Sequence, residues 1–280
     1  MTLISILIAL IIERLDARGK YWQMQTYASI YLDKSQGFSG LFQQSIFVLL
    51  WLLVPALLVA GAARFIDFVL WQMLVNVVVL LVCLGCVYYR EKYKGYLNAM
   101  QRNDSEAASL YALQLGQKRT EDQRGGETLG QTLAWINFRF YCTVIFWFVA
   151  LGPAGAVFYA LVRSFADAVR SGKADMLKPH KKMLQALLFW LDWLPARIAS
   201  FGFLIIGNFN KGTSCWLKHV LNFSISNRKM VTETALAAEQ VEAQHIGCTV
   251  EALCMVKLVK RNVLFFLAII AALTLFGNVS

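Results

Sequence analysis

The sequence predicts an all-α fold: a polytopic helical membrane protein with broken or re-entrant helices and helical cytoplasmic loops. Three observations carry this. Of 280 residues, 58% are hydrophobic and only 16% charged, where a soluble domain carries about a quarter charged. The apolar residues gather in runs of about twenty, the length that crosses a 30 Å hydrocarbon core as a helix, and no alternating ten-residue pattern suggests a barrel. The Lys and Arg of this chain, net charge +10, lie between the apolar runs, as they do when most loops face the cytoplasm of a bacterial inner membrane. The charge is therefore read as topology and attraction to anionic lipids, with no nucleic acid as partner. No aromatic-basic stacking motif or finger spacing argues otherwise.

A single integral membrane domain over 1–280 is expected. Residues 1–40 open with MTLISILIALII, about 18 Å long as a helix and too short to span. No basic residue precedes it and no small-residue cleavage site follows, so it is not read as a signal peptide. It is read as half-inserted, with Glu13, Arg14, Arg18 and Lys20 at its cytoplasmic end and an amphipathic stretch to Tyr31 behind it. A loop at 36–40 follows.

Residues 41–89 read as a transmembrane hairpin, with spans from about Phe42 to Ala63 and Phe68 to Tyr89. Pro55 and Gly61 are expected to kink or thin the first. Cys83 and Cys86 lie one turn apart in the second, beside Gly85, and read as small residues on a packing face rather than a redox or metal pair. Residues 90–134 form a cytoplasmic loop. In it Asn103-Asp104-Ser105 caps a helix over Glu106 to Leu115, a flexible stretch runs to Gly126, and helix resumes near Glu127.

Residues 135–207 form the broken-helix region. Trp135 to Arg163 is apolar and aromatic, yet begins with Asn137 and Arg139 and is interrupted by Gly152-Pro153-Ala154-Gly155. As a single span it would put the loop holding Arg170, Lys173, Lys178, Lys181 and Lys182 outside, against the positive-inside rule. A re-entrant hairpin turning at Gly152–Gly155, with a short second limb near 156–162, keeps that loop in the cytoplasm and is favoured. The next run, Met183 to Ile206, carries Asp192 and Arg197 five residues apart across Pro195. A charge in mid-membrane costs about 3 kcal/mol on the mild insertion scales, so a broken helix with a polar elbow is expected there. The two charges pair with each other or each meets a partner from another segment. Residues 208–262 form a cytoplasmic helical loop: polar to 230, then helical from Val231 to His245 and ended by Gly247. A last helix starts at Thr249, and its 263–280 portion is the C-terminal transmembrane segment.

No nucleophile elbow, phosphate loop or HExxH motif is present, so no catalytic residue and no cofactor is assigned. His180, His219 and His245 lie far apart in sequence. His245 and Cys248 have ligand-like spacing but no second pair, so no metal is assigned either. The set that stands out is Glu13, Arg14, Asn137, Arg139, Asp167, Asp192, Trp193 and Arg197, candidates for a ligand or partner pocket. Gly152, Pro153, Gly155 and Pro195 are the structural breaks around it. The plain alternative is that each charge snorkels to the interface or neutralises another.

WINFRF, then FWFVALGPAGAVFYALVRSF, then LDWLPARIA, with MTLISILIALIIERL and Trp22-Gln23 at the start, resembles the AmpE family of inner-membrane proteins over most of the chain. The resemblance implies a signalling modulator linked to β-lactamase induction, the antibiotic response and cell-wall turnover. Its cytoplasm-facing polar pocket would take a cell-wall-derived small ligand or a cytoplasmic protein such as the AmpD amidase. A more distant resemblance is to the CobD/CbiB membrane enzymes of cobalamin biosynthesis. It rests on the Leu151–Ala156 break, on Asp167, and on Leu191–Arg197 with its Pro195-Ala196-Arg197. That resemblance implies an alternative function as an amide-forming ligase of the adenosylcobinamide-phosphate synthase type, with Glu13, Asp167 and Asp192 holding a cation or acting as general bases. The acidic pair that pattern expects near its start is replaced around Asn137 and Phe138. A transporter, which broken helices also suit, ranks behind both, because there are few full spans and no paired halves.

Overall fold

The computed structural model describes residues 2–15, 19–35, 37, 44–117, 126–239 and 249–276. Among these the chain is helical, with no strand. In order the helices are α1 (Thr2–Arg14), α2 (Met24–Lys34), α3 (Ser45–Arg64), α4 (Val69–Cys83), α5 (Val87–Gln101) and α6 (Ser105–Leu115). Then come α7 (Leu129–Asn137), a π turn (Phe138–Cys142), α8 (Thr143–Arg170) and α9 (Lys181–Ile206). The chain closes with α10 (Phe209–Val220), α11 (Asn227–Ala238) and α12 (Thr249–Leu275). Four stretches of the described residues are long and apolar enough to cross a membrane: Ser45–Arg64, Leu129–Arg170, Asp175–Ile206 and Thr249–Leu275. They become five if α4 and α5 count as one broken span. The chain forms two compact units, one from Met1–Gly85, Thr143–Asp192 and Ile270–Ser280, the other from Cys86–Cys142 and Trp193–Ile269.

In the first unit α1, α2, α3 and α4 all meet α8. Ser5, Ile6, Ala9 and Glu13 recur at one-turn spacing and form the buried face of α1, which packs on α4. At 13 residues α1 is about 20 Å long, the half-length helix that the sequence predicts. Val48, Leu52 and Ala56 are buried on α3, while Ile46, Phe47, Leu50, Val54, Leu57 and Leu58 are exposed. Lipid covers such a surface without cost, whereas water does not.

α3 runs on through Pro55. Proline lacks the N–H that would bond the carbonyl four residues back, here that of Trp51. The Tyr31 hydroxyl donates to it instead, 3.0 Å away. Tyr31 also stacks on the Trp51 ring at 4.5 Å, and the Trp51 indole donates to Ser35 Oγ at 2.8 Å.

α4 ends at Cys83, short of the expected Tyr89, so Cys83 and Cys86 flank a break instead of sharing a helix face. The end is fixed from outside. Arg163 Nη2 donates to the Cys83 carbonyl at 3.0 Å, and Gly85 lies against the Trp22 carbonyl with no room for a side chain.

α8 is broken at Gly152, with φ 68° and ψ −160°, a region essentially reserved for glycine. A Cβ on Gly155 would lie 2.5 Å from the Trp147 carbonyl oxygen, although residues eight apart in a straight helix are separated by about 12 Å. The chain therefore bends sharply there, at the break the sequence predicts. The second limb of α8, however, continues to Arg170 instead of stopping near Val162. The polar residues past Val162 are satisfied inside: Ser164 Oγ donates to the Ala160 carbonyl at 2.7 Å, and Arg163 holds the Cys83 carbonyl.

α9 corrects a second expectation. It is helical throughout, Pro195 included, and has no elbow. The Leu191 carbonyl, four residues before Pro195, accepts from the Trp147 indole N–H at 3.1 Å.

In the second unit, α6 is capped by Asp104, whose side chain accepts from the Ala107 N–H at 3.0 Å, as predicted. α7 starts with a capping box in which Thr128 and Gln131 bond each other's backbone. Ala134, Phe138, Ala196, Phe203, Val231, Ala235 and Met255 form one core, and Tyr96, Ala112, Leu129 and Leu133 form another. The polar loop expected over 208–230 is instead mostly helix. Asn208 caps α10 by accepting from the Lys211 N–H, and Ser226 caps α11 by accepting from that of Lys229. Lys and Gly in α10 disguised an amphipathic helix. Most of the expected loop at 36–40, the flexible segment to residue 125, and His245, Gly247 and Cys248 lie outside the described residues.

Candidate functional site

Each unit buries its own polar cluster. In the first, Tyr159 and Arg163 stand one turn apart on the second limb of α8. The Tyr159 hydroxyl donates to Asp192 Oδ1 on α9 at 2.8 Å. The Arg163 guanidinium lies over the Tyr159 ring, 5.6 Å from its centre. Asp192 and Arg163 are only 3% and 2% exposed. Charges buried this deeply need hydrogen-bond partners to offset the cost of leaving water. Of the other predicted residues in this unit, Glu13 is buried, Asp167 half-buried and Arg14 exposed. Tyr159 was not among the predicted residues; in sequence it is one aromatic among many.

In the second unit Arg197 is the hub. Its Nη1 donates to Asn227 Oδ1 at 2.7 Å and to the Trp193 carbonyl at 3.2 Å. Its Nε donates to the Val220 carbonyl at 3.3 Å and its Nη2 to that of Asn222 at 3.4 Å. The guanidinium sits 4.3 Å from the Trp193 ring centre, and Trp193 stacks on Phe223 at 5.2 Å. All four acceptors are uncharged, and three of them lie on or beside the turn between α10 and α11. Asp192 and Arg197 thus each meet a partner from another segment, the second arrangement the sequence allowed.

Asn137 ends α7 with its Oδ1 buried and without a hydrogen-bond partner among the described residues. Arg139 lies within the π turn, its guanidinium 5.9 Å from the Trp135 ring centre. π turns are rare and gather at functional sites. Nearby the Tyr141 hydroxyl accepts from Arg90 Nη2 at 3.1 Å. Glu127 pairs with Arg228 at 2.9 Å, and Thr128 hydrogen-bonds Glu251.

Two features escaped the sequence reading. A cavity of about 290 Å³ is lined by Ile206, Asn208, Glu239, Cys254 and Arg261 among others. Burial holds the Glu239 carboxyl above its usual range, against the opposing pull of Arg261, which donates to it at 2.9 Å. Separately, Cys215 and His219 on α10 and Glu233 on α11 each place a ligand-type atom within 4.8 Å of the others. Burial pushes the Cys215 thiol above its ordinary value. The C-x3-H spacing was visible, but with α10 read as loop it carried no geometric meaning.

The family described as "Regulatory signalling modulator protein AmpE" matches residues 1–280. Protein AmpE of Shigella flexneri is 28% identical across 99% of this chain and 99% of its own. Cobalamin biosynthesis protein CobD of Chromobacterium violaceum is 33% identical over 72 residues, 26% of this chain and 23% of that protein. No solved structure matches.

Proposed function

The chain belongs to the AmpE family, and on that premise we propose that it is a bacterial inner-membrane protein that modulates β-lactamase induction in response to cell-wall turnover. The observation that carries this reading is the match of that family over all 280 residues. Four apolar stretches long enough to span supply the membrane anchor, and the net charge of +10 suits loops held mainly in the cytoplasm against anionic lipids. The working surface in this reading belongs to the second unit, where Arg197 fixes the α10–α11 turn for a cell-wall-derived ligand or a cytoplasmic protein such as the AmpD amidase. The likeness to the cobalamin protein reaches only a quarter of the chain, so its chemistry is not carried over.

The test replaces the chromosomal gene with Arg197→Lys or Asn227→Ala versions and measures β-lactamase after a β-lactam challenge. Altered induction at normal membrane abundance is the expected result. Unchanged induction with normal insertion removes the Arg197 turn from the proposal. Unchanged induction on deletion of the whole gene removes the function itself.

A further inference from the structure

Cys215, His219 and Glu233 bring three different donor atoms to one point. Cys215 and His219 are one turn apart on α10, Glu233 comes from α11, and their sulfur, imidazole nitrogen and carboxylate oxygen lie within 4.8 Å of one another. His219 is only 5% exposed, so its ring is an interior group. Glu233 divides its carboxylate, with Oε1 3.6 Å from Lys229 Nζ and Oε2 2.8 Å from His219 Nε2. Lys229 therefore takes one oxygen from the more exposed side and leaves the other to the cluster.

Two buried polar atoms, His219 Nδ1 and Thr234 Oγ1, have no hydrogen-bond partner among the described residues. Such orphans are rare in native interiors, and each calls for an explanation. A plain His–Glu pair explains neither. The Thr234 hydroxyl is close enough to Cys215 to favour the ionised sulfur.

We propose that Cys215, His219 and Glu233 form a binding site for one divalent transition-metal ion of the zinc type, with a water in the fourth position. Thiolate, imidazole and carboxylate are the donor set of such ions; magnesium and calcium take oxygen ligands instead. On binding, the Cys215 proton leaves to solvent and the sulfur becomes a thiolate ligand. The neutral His219 ring ligates through one nitrogen and keeps its proton on the other. Thiolate and carboxylate together balance the dication. Thr234 then donates to an anionic sulfur, and the ring proton of His219 sits on Nδ1, away from the ion.

The test uses the full chain, purified in detergent, stripped with a chelator and titrated with Co²⁺. The expected result is one Co²⁺ per chain with a thiolate-to-cobalt band in the near ultraviolet, displaced by Zn²⁺. Cys215→Ser abolishes the band. His219→Gln and Glu233→Gln each weaken binding roughly tenfold or more, and His245→Gln with Cys248→Ser leaves the band intact. Zn²⁺ also raises the thermal midpoint of the stripped wild type but not of Cys215→Ser, since only a ligand bound to the folded state stabilises it. No stoichiometric uptake, a band that survives Cys215→Ser, or a wild-type midpoint that Zn²⁺ leaves unmoved overturns the site.

Discussion

Trp147 donates its indole N–H to the Leu191 carbonyl, 3.1 Å away, the carbonyl that Pro195 leaves without its helical donor. Tyr31 does the same for Trp51 on α3, where Pro55 creates the gap. In hydrocarbon there is no water to accept the task, so a carbonyl freed by proline must find a donor within the protein. These two aromatic donors are why both prolines sit in unbroken helices.

Trp147→Phe keeps an aromatic ring, though a smaller one, and removes the donor. Leaving a buried carbonyl unpaired costs about 1–3 kcal/mol, so the unfolding midpoint in detergent falls accordingly. Pro195→Ala restores a helical N–H four residues on. The double variant therefore loses less than the sum of the two single ones, and additivity within about 0.5 kcal/mol is the outcome that contradicts this pairing.

Tyr31→Phe deletes the hydroxyl that serves Trp51, with an expected loss of about 1 kcal/mol. Burial raises the Tyr31 phenol above its ordinary value of about 10, so the folded state favours the protonated donor. The linked stability is present below pH 10 and is lost as pH rises from there through the raised value. An alkaline stability titration of wild type against Tyr31→Phe checks it: only the wild type carries this phenol's contribution.

The two glycines at the α8 break fail differently. Gly152→Ala meets open space but holds φ at 68°, which costs about 1–3 kcal/mol in backbone strain. At Gly155 the backbone of Trp147 and the side chain of Leu151 occupy the place of a Cβ. Gly155→Ala must push the two limbs apart, an overpacking cost of typically 1–3 kcal/mol, and Gly155→Val costs more than either alanine variant. Unfolding in detergent and membrane-inserted yield rank the three, and a Gly155→Ala protein as stable as wild type contradicts the close approach.

Arg197→Lys keeps the charge but cannot reproduce a planar fork with four acceptors. The turn over 221–226 loses its tether, and limited proteolysis there speeds up several-fold while the helices stay intact by circular dichroism. Equal cleavage rates would show that the turn does not depend on the guanidinium.

Glu239 supplies a pH dependence of opposite origin to a favourable ion pair. Its carboxyl is raised by burial despite Arg261, so the folded state binds the proton more tightly than the unfolded chain. Its contribution to stability is complete below the ordinary carboxylate range and declines as pH rises through the raised value. Glu239→Gln is expected to flatten that slope and to cost little at neutral pH, because Arg261 is half-exposed, at 50%. Stability curves against pH for the two proteins decide it.

Local signals were legible in the sequence and pairings were not. Asp104 announced α6 because its cap is a matter of three residues, and Gly152-Pro153 announced the break in α8. Pro195 misled, since a proline between two charges reads as an elbow until Trp147, 44 residues before Leu191, is known to supply the missing donor. α10 was hidden by Lys and Gly, and with it the juxtaposition of Cys215, His219 and Glu233. Arg197 stood out by charge alone, but its four acceptors are mostly backbone carbonyls, which no side-chain pattern reveals.

The order of these bonds along the chain has a consequence for biosynthesis. Tyr31 precedes Trp51 by 20 residues and Trp147 precedes Leu191 by 44, so in both cases the donor has left the ribosome before its acceptor does. Neither proline-bearing segment has to wait in the translocon for a partner still to be made. The end of α4 is the reverse: the Cys83 carbonyl is closed by Arg163, 80 residues downstream. That bond can form only after the second limb of α8 has been made, so the first unit is completed late in synthesis.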